Sequence, residues 1–176
     1  MRAAFLLGVL VTLAATAAAV FVYFAGGFAP VATGAAPMPF EETLATRALH
    51  ARIKREMPKA VPIDASEANH LAGAHLYLEH CAVCHGLPSK TVTAIARGEF
   101  PKPPQFFHGN GVTDDPPGET YWKIANGIRL TGMPGFDNSL TQTQIWQMSL
   151  LLANADKLPA SVTALLAGQP QARPGN

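Results

Sequence analysis

At 176 residues the chain is long enough for one domain with appendages. Its formal net charge of +1 gives no sign of a nucleic-acid partner. Residues 41–60 carry five Lys/Arg against three Glu, and residues 61–176 seven Lys/Arg against nine Asp/Glu; offsets this small read as ordinary surface charge.

From Ala3 to Ala25 no charge interrupts an apolar run whose mass comes from residues such as Phe5, Leu6, Leu10, Phe21 and Phe24. About 20 apolar residues span the hydrocarbon core as a helix. Ala17-Ala18-Ala19 is similar to a signal cleavage site, but Val20–Phe24 carries the run past it, beyond the ~7–15 residues of a cleaved signal. An uncleaved signal anchor over residues 1–29 is therefore expected. Arg2 precedes the span, and Glu41 and Glu42 are the first charges after it, which orients the N-terminus to the cytoplasm. The remainder is then expected in the periplasm, held at a bacterial inner membrane.

Gly26-Gly27 ends the span, and Pro30 to Pro39 reads as a linker. Leu44, Ala48, Leu49 and Ile53 recur at roughly helical spacing, so Glu41–Glu56 is expected to be helical: a stalk, a membrane-surface helix or a partner contact. Pro58 and Pro62 close it, and residues 30–65 are assigned to linker and juxtamembrane helix.

Ser66 is a good N-cap for a helix running to about Cys84. Gly73 inside it hints at close packing against another element. Gly86 and Pro88 stop the helix. Residues 87–118 are loop-rich, with Pro101, Pro103, Pro104, Pro116 and Pro117 among their prolines. A short helix is expected to open at Asp115-Pro116 or at Gly118 and to end at Gly127. Thr141-Gln-Thr-Gln144 is a capping-box pattern opening a last helix, Gln142 to about Ala153. No segment alternates convincingly as a strand. The pattern predicts an all-α domain over 66–157 and a C-terminal tail over 158–176, with Gln169–Asn176 expected to be disordered.

The chain's two cysteines stand in Cys81-Ala-Val-Cys84-His85. In such a run both thiols can form thioethers to haem vinyl groups while the adjacent imidazole binds the iron. On a helix, Cys84 and His85 follow Cys81 by three and four residues and share its side. A zinc site would need about four ligands, and no second C-x-x-C or paired histidine motif supplies them. A thioredoxin-like pair would sit in a βαβ context, and a disulfide would leave His85 unexplained.

Met133 lies in Thr131-Gly-Met-Pro-Gly-Phe136, where Pro134 biases it toward an extended backbone and the flanking glycines permit unusual turns. A methionine in such a loop, 48 residues beyond His85, can offer a thioether to the iron; the alternative is core filler. His108 is a weaker sixth-ligand candidate. His70, His75 and His80 recur every five residues, off any one helix face, and read as solvent or rim residues. Trp122 and Arg129 suit either haem propionates or packing and surface exposure.

Together, Gly73-x-x-x-Tyr77, Cys81-x-x-Cys84-His85-Gly86, Trp122-x-Ile124-Ala-Asn126-Gly127-Ile128, Gly132–Phe136 and a last helix with Trp146 resemble a class I monohaem cytochrome c. The chain is most similar to the small haem c domains of cbb3-type oxidase subunits, over about residues 66–157. The resemblance implies three to four helices around one covalent haem c, thioethers at Cys81 and Cys84, His85 as proximal and Met133 as distal ligand. It also implies that the first helix, at Gly73 and Tyr77, crosses the last near Trp146 and Leu150. The chain departs from the pattern between Leu87 and Gly111. A proline carbonyl usually accepts from the proximal imidazole in this family; Pro101, Pro103 and Pro104 all remain candidates.

The expected function is that of a membrane-anchored electron carrier rather than an enzyme. Its partners would be redox proteins: a membrane oxidase, a quinol-oxidising complex or a periplasmic dehydrogenase. A fixed haem subunit of a larger membrane oxidoreductase is the alternative, and a haem-based ligand sensor a more distant one.

Overall fold

A computed structural model describes residues 1–88, 90–109 and 111–168. Among them every regular element is a helix, as the patterning predicts. The chain divides into two units, Met1–Leu44 and Ala45–Asn176.

The first unit is dominated by α1, Arg2–Ala25, which is long and apolar enough to cross a membrane and has no buried residue. At about 1.5 Å per residue its 24 residues exceed the ~30 Å of a bilayer core. Gly26 and Gly27 end it, and Phe28 folds back to stack on Tyr23 at 6.5 Å between ring centroids. The helix α2, Glu41–Glu56, begins in this unit and ends in the second.

In the second unit Ser66 caps α3, Glu67–His80, its Oγ accepting the Asn69 N–H at 3.4 Å. Then follow α4 (Ala82–His85), α5 (Ala94–Gly98), α6 (Pro117–Asn126), α7 (Gln142–Ala153) and α8 (Ala160–Ala167). The capping box at α7 is formed in full: Gln144 N–H donates to Thr141 Oγ1 and Thr141 N–H to Gln144 Oε1 at 2.8 Å. The framework is α3 against α7 and α8, with α6 against the other side of α7. Gly73 makes the α3–α7 crossing possible. A Cβ there would lie 2.7 Å from the carbonyl carbon of Gln147, so the two backbones meet where a side chain would stand. The crossing thus centres on Gln147, between the expected Trp146 and Leu150.

Two apolar clusters flank α7. Ala74, Tyr77, Leu151, Leu152, Val162 and Leu166 form one; Ile124, Ala125, Ile145 and Met148 form the other, with Cys81, Met133 and Phe136 packed on it. The second cluster is the wall on which the motif residues converge.

Several expectations are corrected. The first helix does not run unbroken to Cys84: at Cys81 φ swings to −118° (ψ −35°), away from the helical value of about −63°, and the chain restarts as α4. Residues 160–167, placed with the tail, form α8, whose Val162 and Leu166 are fully buried against α3; the tail expectation for Gln169–Asn176 lies outside the described residues. Residues 45–58, assigned to linker and juxtamembrane helix, pack on the domain. Ile53 is buried, the Trp122 indole donates to Glu56 at 3.3 Å, and the Pro58 carbonyl sits where a Gly118 Cβ would be. His70 is not a solvent or rim residue: it is 5 % exposed, with both ring nitrogens unpartnered among the described residues, because its turn of α3 faces inward.

Candidate functional site

The C-x-x-C-H segment is held at both ends. The Cys81 N–H donates to the Tyr77 carbonyl, and the N–H groups of Cys84 and His85 both donate to the Cys81 carbonyl, at 3.1 and 2.9 Å. Gly86, at φ 77°, turns the chain out of α4, and the buried Tyr77 hydroxyl donates to its carbonyl at 2.7 Å. Tyr77 therefore ties the exit of the motif back to α3. The thiols of Cys81 and Cys84 are free. Burial pushes Cys81 up to about 12 and, with the help of Glu99, Cys84 up to about 11, so both are protonated at neutral pH.

His85 is fixed by the loop that follows it. The Pro104 carbonyl lies 2.9 Å from Nδ1; a carbonyl only accepts, so Nδ1 carries the proton and Nε2 keeps its lone pair. Phe106 stacks on the imidazole at 4.3 Å and 13° between planes, and its N–H donates to the His85 carbonyl at 3.4 Å. Gln105 Nε2 donates to the Cys84 carbonyl at 2.9 Å. Burial lowers the imidazole's pKa, against the opposing pull of the Pro104 bond and the Glu99 charge, which favours the neutral ring a ligand needs. Of the three candidate prolines, the structure selects Pro104.

Met133 is positioned by glycines on both sides. Gly127, at φ 66°, ends α6, and a Cβ on it would meet the Gly135 nitrogen at 2.6 Å and the Met133 carbonyl oxygen at 2.8 Å. The loop thus lies directly on the end of α6. It is stitched there by Ile128 N–H to Met133 carbonyl (3.1 Å), Phe136 N–H to Ile124 carbonyl (3.0 Å) and Met133 N–H to Thr131 Oγ1 (3.1 Å).

These residues share one cleft. Cys81, Cys84, His85 and Met133 all line it, with Glu99 and Phe136 among the others; its empty space out to the open mouth is about 670 Å³. Two thiols, an imidazole with a free Nε2 and a thioether, set in a largely apolar cleft, are a donor set that suits a haem carrying vinyl groups. Among the described residues no three His, Cys, Asp or Glu side chains are placed to share a metal ion.

The weaker candidates separate clearly. His80 lines the cleft, 5.5 Å from the Phe136 ring, while His75 and His108 are exposed. Trp122 turns to Glu56 and Arg129 is exposed, and neither lines the cleft. Met148 lies beside Cys81, sulfur to sulfur 4.0 Å. Sequence reasoning missed Glu99, Gln105 and the stacking role of Phe106. The run Pro103-Pro104-Gln105-Phe106-Phe107 was the available signal.

The model of the family described as cytochrome c oxidase, cbb3-type, subunit III, matches residues 68–150. Among solved structures, a chain of the Kuenenia stuttgartiensis reducing HAO-like protein complex is similar at 25% identity and a TM-score of 0.47, over 55% of this chain and 47% of that one. This chain thus spans less than half the length of that neighbour. No curated protein matches the chain.

Proposed function

We propose, from the premise that residues 68–150 form a c-type cytochrome domain, that this protein is a membrane-anchored carrier of single electrons with one His/Met-ligated haem. A haem bound in the cleft supplies one-electron exchange at its iron. The observation that carries the reading is the convergence of Cys81, Cys84, His85 and Met133 on a single cleft.

In this reading Cys81 and Cys84 hold the porphyrin as thioethers. His85 presents Nε2, its ring oriented and made more basic by the Pro104 carbonyl. Met133 would offer its thioether to the iron from a loop pinned to α6, and a thioether ligand would favour the reduced state relative to a second histidine. Ile124 and Phe136 give the cleft apolar walls. The haem domain extends over 66–157 and carries α8 and residues 45–58 packed on it. α1 is the anchor, uncleaved, and the haem domain lies in the periplasm, where the anchor keeps it near membrane redox partners and raises its effective concentration there. A quinol-oxidising complex, a terminal oxidase and a periplasmic dehydrogenase all fit as partners.

Absorption spectra of the purified protein, oxidised and reduced, with carbon monoxide added, test this. The weak long-wavelength band of thioether–Fe(III) ligation, with no carbon monoxide shift after reduction, is the expected result. Rapid carbon monoxide binding without that band would move the sensor reading to the front. A fixed-subunit reading is favoured by the matching family's description as an oxidase subunit; stoichiometric co-purification with a large membrane partner would select it.

A further inference from the structure

Glu99 is a carboxylate in an otherwise largely apolar cleft, and the carrier mechanism assigns it no task. It follows α5, whose N-cap Thr93 fastens that helix to the motif by donating to the Val83 carbonyl at 2.6 Å. Its Oε1 accepts from the Cys84 thiol at 3.0 Å. Its Oε2 would be 2.9 Å from a Cβ on Gly132, the residue before Met133. One carboxylate thus lies between the attachment motif and the methionine loop. Gly132, having no side chain, leaves it room. Among the described residues no cation stands within ion-pair distance of it, although Lys102 lines the same cleft.

The charge matters more once Cys84 is a thioether, because an alkylated sulfur has no proton to donate and the carboxylate loses that partner. A negative charge beside a partly desolvated redox centre stabilises its more positive, oxidised state. We propose that Glu99 is a fixed negative charge that holds the reduction potential of this cytochrome below the value its ligand pair alone would set. The inference rests on the carrier reading. It names Glu99 as a potential-setting positioning residue, with no ligand role.

The test is an equilibrium redox titration of the haem-loaded full chain, one electron converting Fe(III) to Fe(II), for wild type, E99Q and E79Q, with mass spectrometry to confirm covalent haem. Glu79 is an exposed carboxylate outside the cleft lining. E99Q is expected to raise the reduced-to-oxidised ratio at a given poise by about tenfold, ~59 mV for one electron, with an unchanged spectrum, while E79Q stays at wild type. Equal midpoints for wild type and E99Q, both carrying haem, would overturn the proposal and leave the carrier reading intact. A wild-type chain that takes up no haem would overturn the carrier reading itself. If E99Q fails to attach haem, E99D, which keeps the charge, decides: attachment with a midpoint near wild type supports the charge role. Loss of haem in both variants would reduce Glu99 to a structural residue and overturn the proposal.

Discussion

His85 Nδ1 and the Pro104 carbonyl oxygen are 2.9 Å apart across 19 residues of sequence, which commits the one proton of the neutral ring to the backbone. In the proposed carrier reading the thiols would hold the porphyrin independently of this bond, whereas the iron ligand would depend on it. His85→Ala is therefore expected to retain covalent haem, seen as an unchanged mass increment, while losing the low-spin spectrum of the wild type. A variant that keeps that spectrum would remove His85 from the iron.

The Met133 loop should be sensitive to a single methyl group added outside it. Gly127→Ala places a Cβ 2.6 Å from the Gly135 nitrogen at a φ of 66°, so backbone must shift. The expected penalty is about 1–3 kcal/mol in chemical denaturation, together with a weakened long-wavelength band. Gly98→Ala, where a Cβ meets nothing within 4 Å, should be neutral or slightly stabilising.

His70 gives the domain a pH dependence. Burial lowers its pKa, so the unfolded chain takes up the proton first. Stability is then fully present above the ordinary histidine pKa of about 6.5 and declines as pH falls below it. Thermal unfolding of the haem-loaded protein between neutral and mildly acid pH should show this decline. It should be smaller in His70→Leu, which removes the titrating ring together with its unpartnered nitrogens. An identical slope in both proteins would mean that the ring is not buried as described.

The second half of α2 is part of the folded unit. Ile53 is 1 % exposed, whereas Leu44 on the same helix is 65 % exposed. Ile53→Ala is expected to lower stability by about 2–4 kcal/mol, and Leu44→Ala by a few tenths at most; differential scanning calorimetry resolves the two.

The legible features were those with a local mechanism. Ser66, Thr141 and Gly127 punctuate helices through bonds within a few residues, so their positions follow from the chain alone. Cys81, Cys84, His85 and Met133 were legible because each side chain has a chemistry that few others share. The partners of those residues were not. Pro104 reaches His85, Trp122 reaches Glu56 and Gln147 reaches Asn69 across 19, 66 and 78 residues, and nothing in a one-dimensional pattern pairs them. His70 misled for a related reason: polarity argued for water, and the crossing of α3 over α7 decided otherwise. α8 was hidden by a short apolar pattern that follows Pro159 and could equally have belonged to a tail.

The loop from Gly86 to Gln105 is a bridge with both abutments at the same place. Its start is pinned by Tyr77, and its end returns to clasp Cys84 and His85 through Gln105, Pro104 and Phe106. Lengthening a closed loop adds little entropy, roughly 0.6 kcal/mol per doubling. A loop closed at both ends in this way can lengthen between its anchors without moving the imidazole. Its closure makes it a natural port for grafting a reporter or a foreign recognition segment beside the cleft.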